Sequence, residues 1–211
     1  PVYFFYGKEL LLLHKALSAL LKKVVTPGME SFNLQKFDSD KTTVEEIENA
    51  AEALPVMSER KCVVVQNLNI EKLPAAQSDR LKALLKDPPP STVLIFAVTA
   101  FEVSPKKSAK VKAFCTAVSK VGSVVEFALK DKSALCRALC ERAAKKGSTL
   151  SPKNASLLVE RCGQSLTVLY NELDKLCDFA AGEEITAAHI QQSVTPTVDS
   201  SAFDLAKAVL R

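Results

Sequence analysis

Along the first 130 residues, short uninterrupted apolar runs alternate with longer stretches in which apolar residues recur every three or four positions. The runs are Val2-Tyr3-Phe4-Phe5-Tyr6, Cys62-Val63-Val64-Val65 and Val93-Leu94-Ile95-Phe96-Ala97-Val98. Two weaker ones span residues 31–37, where Phe32, Leu34 and Lys36 share a face, and 123–127. A run without polar alternation suits a strand covered on both faces, as in a parallel sheet flanked by helices. Helical spacing lies between them: Leu13, Leu17, Leu20 and Leu21; Val44, Ile47, Ala50, Ala51 and Leu54; Leu81, Leu84 and Leu85; Val111, Phe114, Ala117 and Val118. Thr43 with Glu46 forms a capping-box pattern that opens the second of these helices, while Pro55 and Pro88-Pro89-Pro90 stop the second and third. Residues 1–129 are therefore predicted to form an α/β domain, an open and mainly parallel five-stranded sheet with helices on both faces.

From Asp131 the strand signal stops. Leu135, Ala138, Leu139 and Ala143 mark one helix, Ala155, Leu158, Val159 and Cys162 a second opened by Ser151-Pro152, and Leu166 through Ala180 a third. A shorter helix follows over 186–193, giving a small helical domain over 130–198. A further amphipathic stretch begins near Ser200-Ser201-Ala202-Phe203 and the sequence ends inside it at Arg211, so 199–211 is expected to start another helical domain.

Two domains suit a length of 211 residues, and 47% hydrophobic with 25% charged residues describes a globular chain, neither fibrous nor disordered. No apolar run approaches the ~18 residues of a membrane span. The first residues carry no basic segment or cleavage site of a secretory signal, so the expected location is cytoplasmic. Six cysteines are scattered and mostly fall at apolar-periodic positions, as reduced, buried thiols do. Cys136 and Cys140 lie one helical turn apart, but without a second close ligand pair no metal site is expected there, with or without His189.

Charge is uneven. Residues 104–130 hold six basic and one acidic group, against twelve and thirteen before them and ten and ten after, so the whole net charge of +4 is carried there. Lys106, Lys107, Lys110 and Lys112 then read as the basic outer face of the helix that buries Val111, Phe114 and Val118. Such a face is either simply solvated or a contact for nucleic-acid phosphate.

Little in the chain suggests catalysis. Gly7-Lys8-Glu9, between the first strand and helix, lacks the second glycine and the hydroxyl of a phosphate-binding loop, and it sets a carboxylate where a triphosphate would lie. His14 and His189 have no readable carboxylate or serine partner, and Glu172 with Lys175 reads as an exposed helical ion pair. The most unusual stretch is Leu54-Pro55-Val56-Met57-Ser58-Glu59-Arg60, a helix end, a proline and an apolar pair at a charged elbow. From the pattern alone, Val56 and Met57 either fold back on the helix or stand out as an apolar plug for a partner.

Seven pieces in order resemble the bacterial DNA polymerase III delta subunit: residues 2–9, 54–68, 91–97, Gly163-Gln164-Ser165-Leu166, Asn171-Glu172-Leu173-Asp174-Lys175-Leu176, Ile185-Thr186-Ala187-Ala188-His189-Ile190 and Ser201-Ala202-Phe203-Asp204-Leu205. The resemblance covers essentially the whole chain. It implies an AAA+-like domain that does not hydrolyse ATP, a helical lid, and a helical collar that would begin at the end of this sequence and join the other clamp-loader subunits. It further implies binding and opening of the sliding clamp through a plug that falls on Leu54, Pro55, Val56 and Met57. The family commonly has leucine and phenylalanine where this chain has Val56 and Met57. No catalytic residue and no cofactor are implied. Two rival readings remain at this stage, a DNA-binding module using Lys106, Lys107, Lys110 and Lys112, and an AAA+ ATPase with a divergent phosphate loop.

Overall fold

The computed structural model describes residues 1–38 and 42–195; the expected helix over 199–211 lies outside them. The chain divides into two compact units, Pro1–Ala128 and a second beginning at Leu129.

In the first unit the elements run β1 (Val2–Tyr6), α1 (Leu10–Val24), α2 (Glu30–Asn33), β2 (Leu34–Asp38), α3 (Val44–Glu52), β3 (Lys61–Gln66), α4 (Ala75–Lys86), β4 (Thr92–Ala97), α5 (Ala109–Val121) and β5 (Gly122–Glu126). All neighbouring strands are parallel, in the order β2-β3-β4-β1-β5. The uninterrupted runs have the predicted cause: alternate residues of one strand enter two separate cores. Val63, Val65, Leu94, Phe96 and Phe4 meet Ile47 of α3, Leu81 and Leu85 of α4 and Phe114 of α5. Cys62, Val64, Val93, Ile95 and Phe5 meet Leu13 and Leu17 of α1 on the opposite face. Phe114 sets its ring edge-on to both Phe4 and Phe96, with centroids 5.1 and 5.2 Å away, which fastens α5 across the two strands.

The predicted capping box is complete. Thr43 Oγ1 accepts from the Glu46 amide at 3.3 Å and Glu46 Oε2 accepts from the Thr43 amide at 2.7 Å, so α3 starts at a fixed point. At its other end Thr92 Oγ1 donates to the Ala51 carbonyl at 2.7 Å, tying the last turn to β4.

One element departs from the sequence pattern. Residues 31–33 belong to a single helical turn and the strand starts at Leu34, so Phe32 does not share a strand face with Leu34 and Lys36. The Met29 carbonyl takes the amides of Phe32 and Asn33 at 3.2 and 2.9 Å, closing the turn.

The second unit holds α6 (Lys132–Lys145), α7 (Pro152–Cys162), α8 (Leu166–Ala180) and α9 (Ala187–Ser193). Leu135 and Leu139, Leu158, Leu166, Leu169, Leu173 and Leu176, and Ile190 are buried within it. Among the described residues no helix is long and apolar enough to cross a membrane.

Candidate functional site

The helix α3 ends with the Ala53 amide on the Asn49 carbonyl, and the chain then turns out through Leu54 and Pro55. At this corner Leu54 is 81% exposed, Met57 91% and Val56 43%, so the apolar residues do not fold back against the helix. Met57 has the left-handed φ of +48°, a conformation that side-chain-bearing residues adopt at a cost.

The backbone beneath these side chains is held by Asn33, which the sequence pattern did not single out. Its carboxamide is buried; Oδ1 accepts from the Val56 amide at 2.8 Å and Nδ2 donates to the Val56 carbonyl at 2.8 Å. Nδ2 also donates to Ser58 Oγ at 3.1 Å, and that hydroxyl donates to Thr26 Oγ1 at 3.3 Å. Phe32, next to Asn33 on the same turn, is a further exposed apolar side chain. The only sequence signal for this arrangement is an asparagine just ahead of a strand.

The four lysines do not lie on one helix face. Lys106 and Lys107 sit in the turn before α5, which begins at Ala109 after Ser108 caps it through the Val111 amide. Lys110 and Lys112, two positions apart, are about 200° apart around the helix axis, and they flank the buried Val111. All four are exposed, and Lys110 Nζ donates to the Glu71 carbonyl at 3.0 Å.

At the carboxyl ends of β1 and β4, where an open α/β sheet ordinarily takes a ligand, the loop is closed on itself. The amides of Glu9 and Leu10 donate to the carbonyls of Phe127 and Lys8 at 2.9 and 3.1 Å, so neither faces a phosphate. Gly7, at φ +130°, passes so close to β5 that a side chain there would meet the Phe127 carbonyl oxygen at 2.3 Å. Lys8 pairs with Glu102 at 3.3 Å, and Glu9 is buried at the start of α1. The void lined by Phe4, Leu68, Val98 and Phe101 measures about 20 Å³, near the size of one water. Strand β3 ends at Gln66, and the next residue, Asn67, accepts through Oδ1 from the amides of Thr99 and Ala100 at 2.8 and 3.0 Å, so neither position offers the magnesium-binding carboxylate of a P-loop NTPase.

The remaining candidates resolve into structural roles. His189 Nδ1 accepts from the Thr186 amide at 3.4 Å as part of the cap of α9, with its ring edge-on to Phe179. Glu172 and Lys175 form the expected ion pair at 2.7 Å, though Glu172 is more buried than a solvated pair requires. Burial pushes the thiol of Cys62 up to about 12 and that of Cys162 to about 11, far from nucleophilic at neutral pH. All six cysteines are free, and among the described residues no three histidine, cysteine or acidic side chains gather as a metal site.

The sequence profile described as DNA polymerase III, delta subunit matches residues 3–123. The chain belongs to the DNA polymerase III delta subunit family. DNA polymerase III subunit delta of Bacillus subtilis (strain 168) is 26% identical to this delta-family chain over 217 residues, with all of the chain and 61% of that protein covered. The solved DNA clamp loader delta protein of Bacillus subtilis superimposes with a TM-score of 0.69 at 26% identity, covering 97% of this chain and 61% of that one. Thermotoga maritima RuvB, a Holliday junction branch migration motor, superimposes with a TM-score of 0.52 at 12% identity over 91% of this chain, which places the sheet and helices in the AAA+-like fold class. The chain thus spans about three-fifths of the length of the delta proteins it matches.

Proposed function

We propose that this delta subunit binds the sliding clamp through Leu54, Pro55, Val56 and Met57 and opens one interface of the ring, without hydrolysing ATP itself. The observation that carries this reading is the corner: Val56 and Met57 stand in solvent while the backbone between them is fixed. Burying the 91%-exposed Met57 contributes roughly 1.5–3 kcal/mol before ordering costs, and the 43%-exposed Val56 about half as much. Ring opening then follows if the bound surface fits the open edge better than the closed one, because a ligand shifts a population only by its differential affinity. The engaged amides of Glu9 and Leu10 and the uncharged Gln66-Asn67 at the end of β3 support a role in which nucleotide chemistry belongs to partner subunits. In this scheme residues 1–129 form the clamp-contacting domain, 130–198 the lid and 199–211 the start of a collar through which the other loader subunits are met in the cytoplasm.

The deciding experiment is binding of the chain to the sliding clamp of the same organism without ATP, wild type against Val56→Ser/Met57→Ser. Binding that the folded double variant loses supports the plug; equal binding by the two removes it.

A second reading concerns DNA. The exposed Lys106, Lys107 and Lys112 carry most of the local charge surplus, which supports a phosphate contact with primed DNA alongside clamp binding.

A further inference from the structure

A side chain with four hydrogen-bonding positions is costly to bury unless they are used, and Asn33 is only 1% exposed. Its bonds all go to one short segment, to both backbone groups of Val56 and to the Ser58 hydroxyl. They bracket Met57, whose φ of +48° is held by no packing of its own side chain, since that side chain is 91% exposed. Nor does the corner gain rigidity from a helix or strand, because α3 ends at Glu52 and β3 begins at Lys61. What fixes the backbone at Val56 is therefore an amide presented from 23 positions earlier in the chain, acting as a strand partner would.

The geometry points to Asn33 as the positioning residue of the plug: its carboxamide sets the Val56–Met57 backbone in the binding conformation before the clamp is met. This rests on the reading of Val56 and Met57 as the plug. The consequence is energetic. A loose corner would have to be ordered at the moment of binding, and fixing even one residue's backbone corresponds to a factor of about ten in affinity. The side chain of Asn33 touches no clamp in this scheme and acts through Val56 alone.

Three measurements test it. In the free wild-type chain, amide exchange at Val56 should be slow, because that N–H is bonded to Asn33; a Val56 amide that is unprotected when free and slows only on adding clamp overturns the inference. Asn33→Ala should raise the dissociation constant for the clamp by at least about tenfold and speed Val56 exchange, while exchange in β3 and β4 stays slow. Asn33→Asp keeps the shape and an acceptor for the Val56 amide but sets an oxygen against the Val56 carbonyl, and should weaken binding as well; it decides the matter where Asn33→Ala does not fold. If Val56→Ser/Met57→Ser binds as wild type, the plug reading itself fails. If that double variant loses binding while a folded Asn33 variant binds as wild type, only the positioning role fails. An anchor of purely structural importance would lower the unfolding temperature and leave the affinity of the folded fraction unchanged, which also overturns it.

Discussion

Arg142 of α6 grips Asp174 of α8 with both arms of its guanidinium, Nε to Oδ1 at 2.9 Å and Nη2 to Oδ2 at 2.6 Å. Lys146 adds a contact at 3.2 Å, and the guanidinium lies 4.6 Å from the centre of the Tyr170 ring. Bidentate, charge-assisted pairs of this kind hold geometry as well as energy. The hydrogen bonds from Arg142 hold the Asp174 carboxyl below its usual range, against the opposing effect of burial. A depressed carboxylate stabilises the fold fully above its unfolded pKa of about 4 and loses that contribution as pH falls through the lower folded value. Asp174→Asn should lower the unfolding free energy at pH 7 by roughly 1–2 kcal/mol, since the pair is partly solvated. Urea titrations of both forms should converge as the pH approaches 2; a difference that persists undiminished would assign the loss to packing.

Phe114 joins α5 to the sheet through two edge-on contacts, with Phe4 and Phe96. Truncating a buried ring removes its transfer energy and leaves a cavity that the surrounding strands fill only partly. Phe114→Ala should therefore cost about 3–5 kcal/mol by denaturant unfolding. Cys115→Ala, one position on and half-buried, should stay within about 1 kcal/mol.

How much of this could be read from the chain depends on the range of the forces involved. β3 and β4 were legible because a strand buried on both faces has no polar positions, and Val63-Val64-Val65 and Val93-Leu94-Ile95-Phe96 show that directly. The capping box of α3 was legible because Thr43 and Glu46 are three residues apart. The turn α2 was not, since Asn33 is committed to a partner that only the tertiary fold brings near. The start of α5 is obscured in the sequence for a related reason. Four lysines close to an apolar periodicity suggest one helix face, whereas the Ser108 cap leaves Lys106 and Lys107 outside it. For Val56 and Met57 the pattern allowed a buried or an exposed corner, and the choice depended on whether another element covered them.

The four lysines should differ in how they affect DNA. Lys110 already donates to the Glu71 carbonyl, so its ammonium is less free to meet a phosphate than those of Lys106, Lys107 and Lys112. Lys106→Ala/Lys107→Ala/Lys112→Ala should flatten the dependence of log affinity on log salt for primed duplex DNA by up to about 0.9 per lost contact, in the assembled loader. Lys110→Ala should change that slope less. An unchanged slope in the triple variant would leave these lysines as a solvated surface and remove the DNA reading.

Single substitutions in the plug should rank by the apolar area that each side chain still has to bury. Met57 and Leu54 are 91% and 81% exposed, whereas Val56 is 43% exposed and has spent about half of its area already. At ~1.5–3 kcal/mol for full burial, Met57→Ser and Leu54→Ser should each weaken clamp binding by roughly 10- to 100-fold, and Val56→Ser by only about fivefold. Folding stability should move by less than about 0.5 kcal/mol for Met57→Ser, because almost nothing of that side chain is buried in the free subunit. Isothermal titration with clamp, set beside thermal unfolding of each variant, gives both quantities. A larger loss from Val56→Ser than from Met57→Ser would mean that the corner acts through its backbone path and not through the exposed side chains, shifting the contact toward the segment that Asn33 holds.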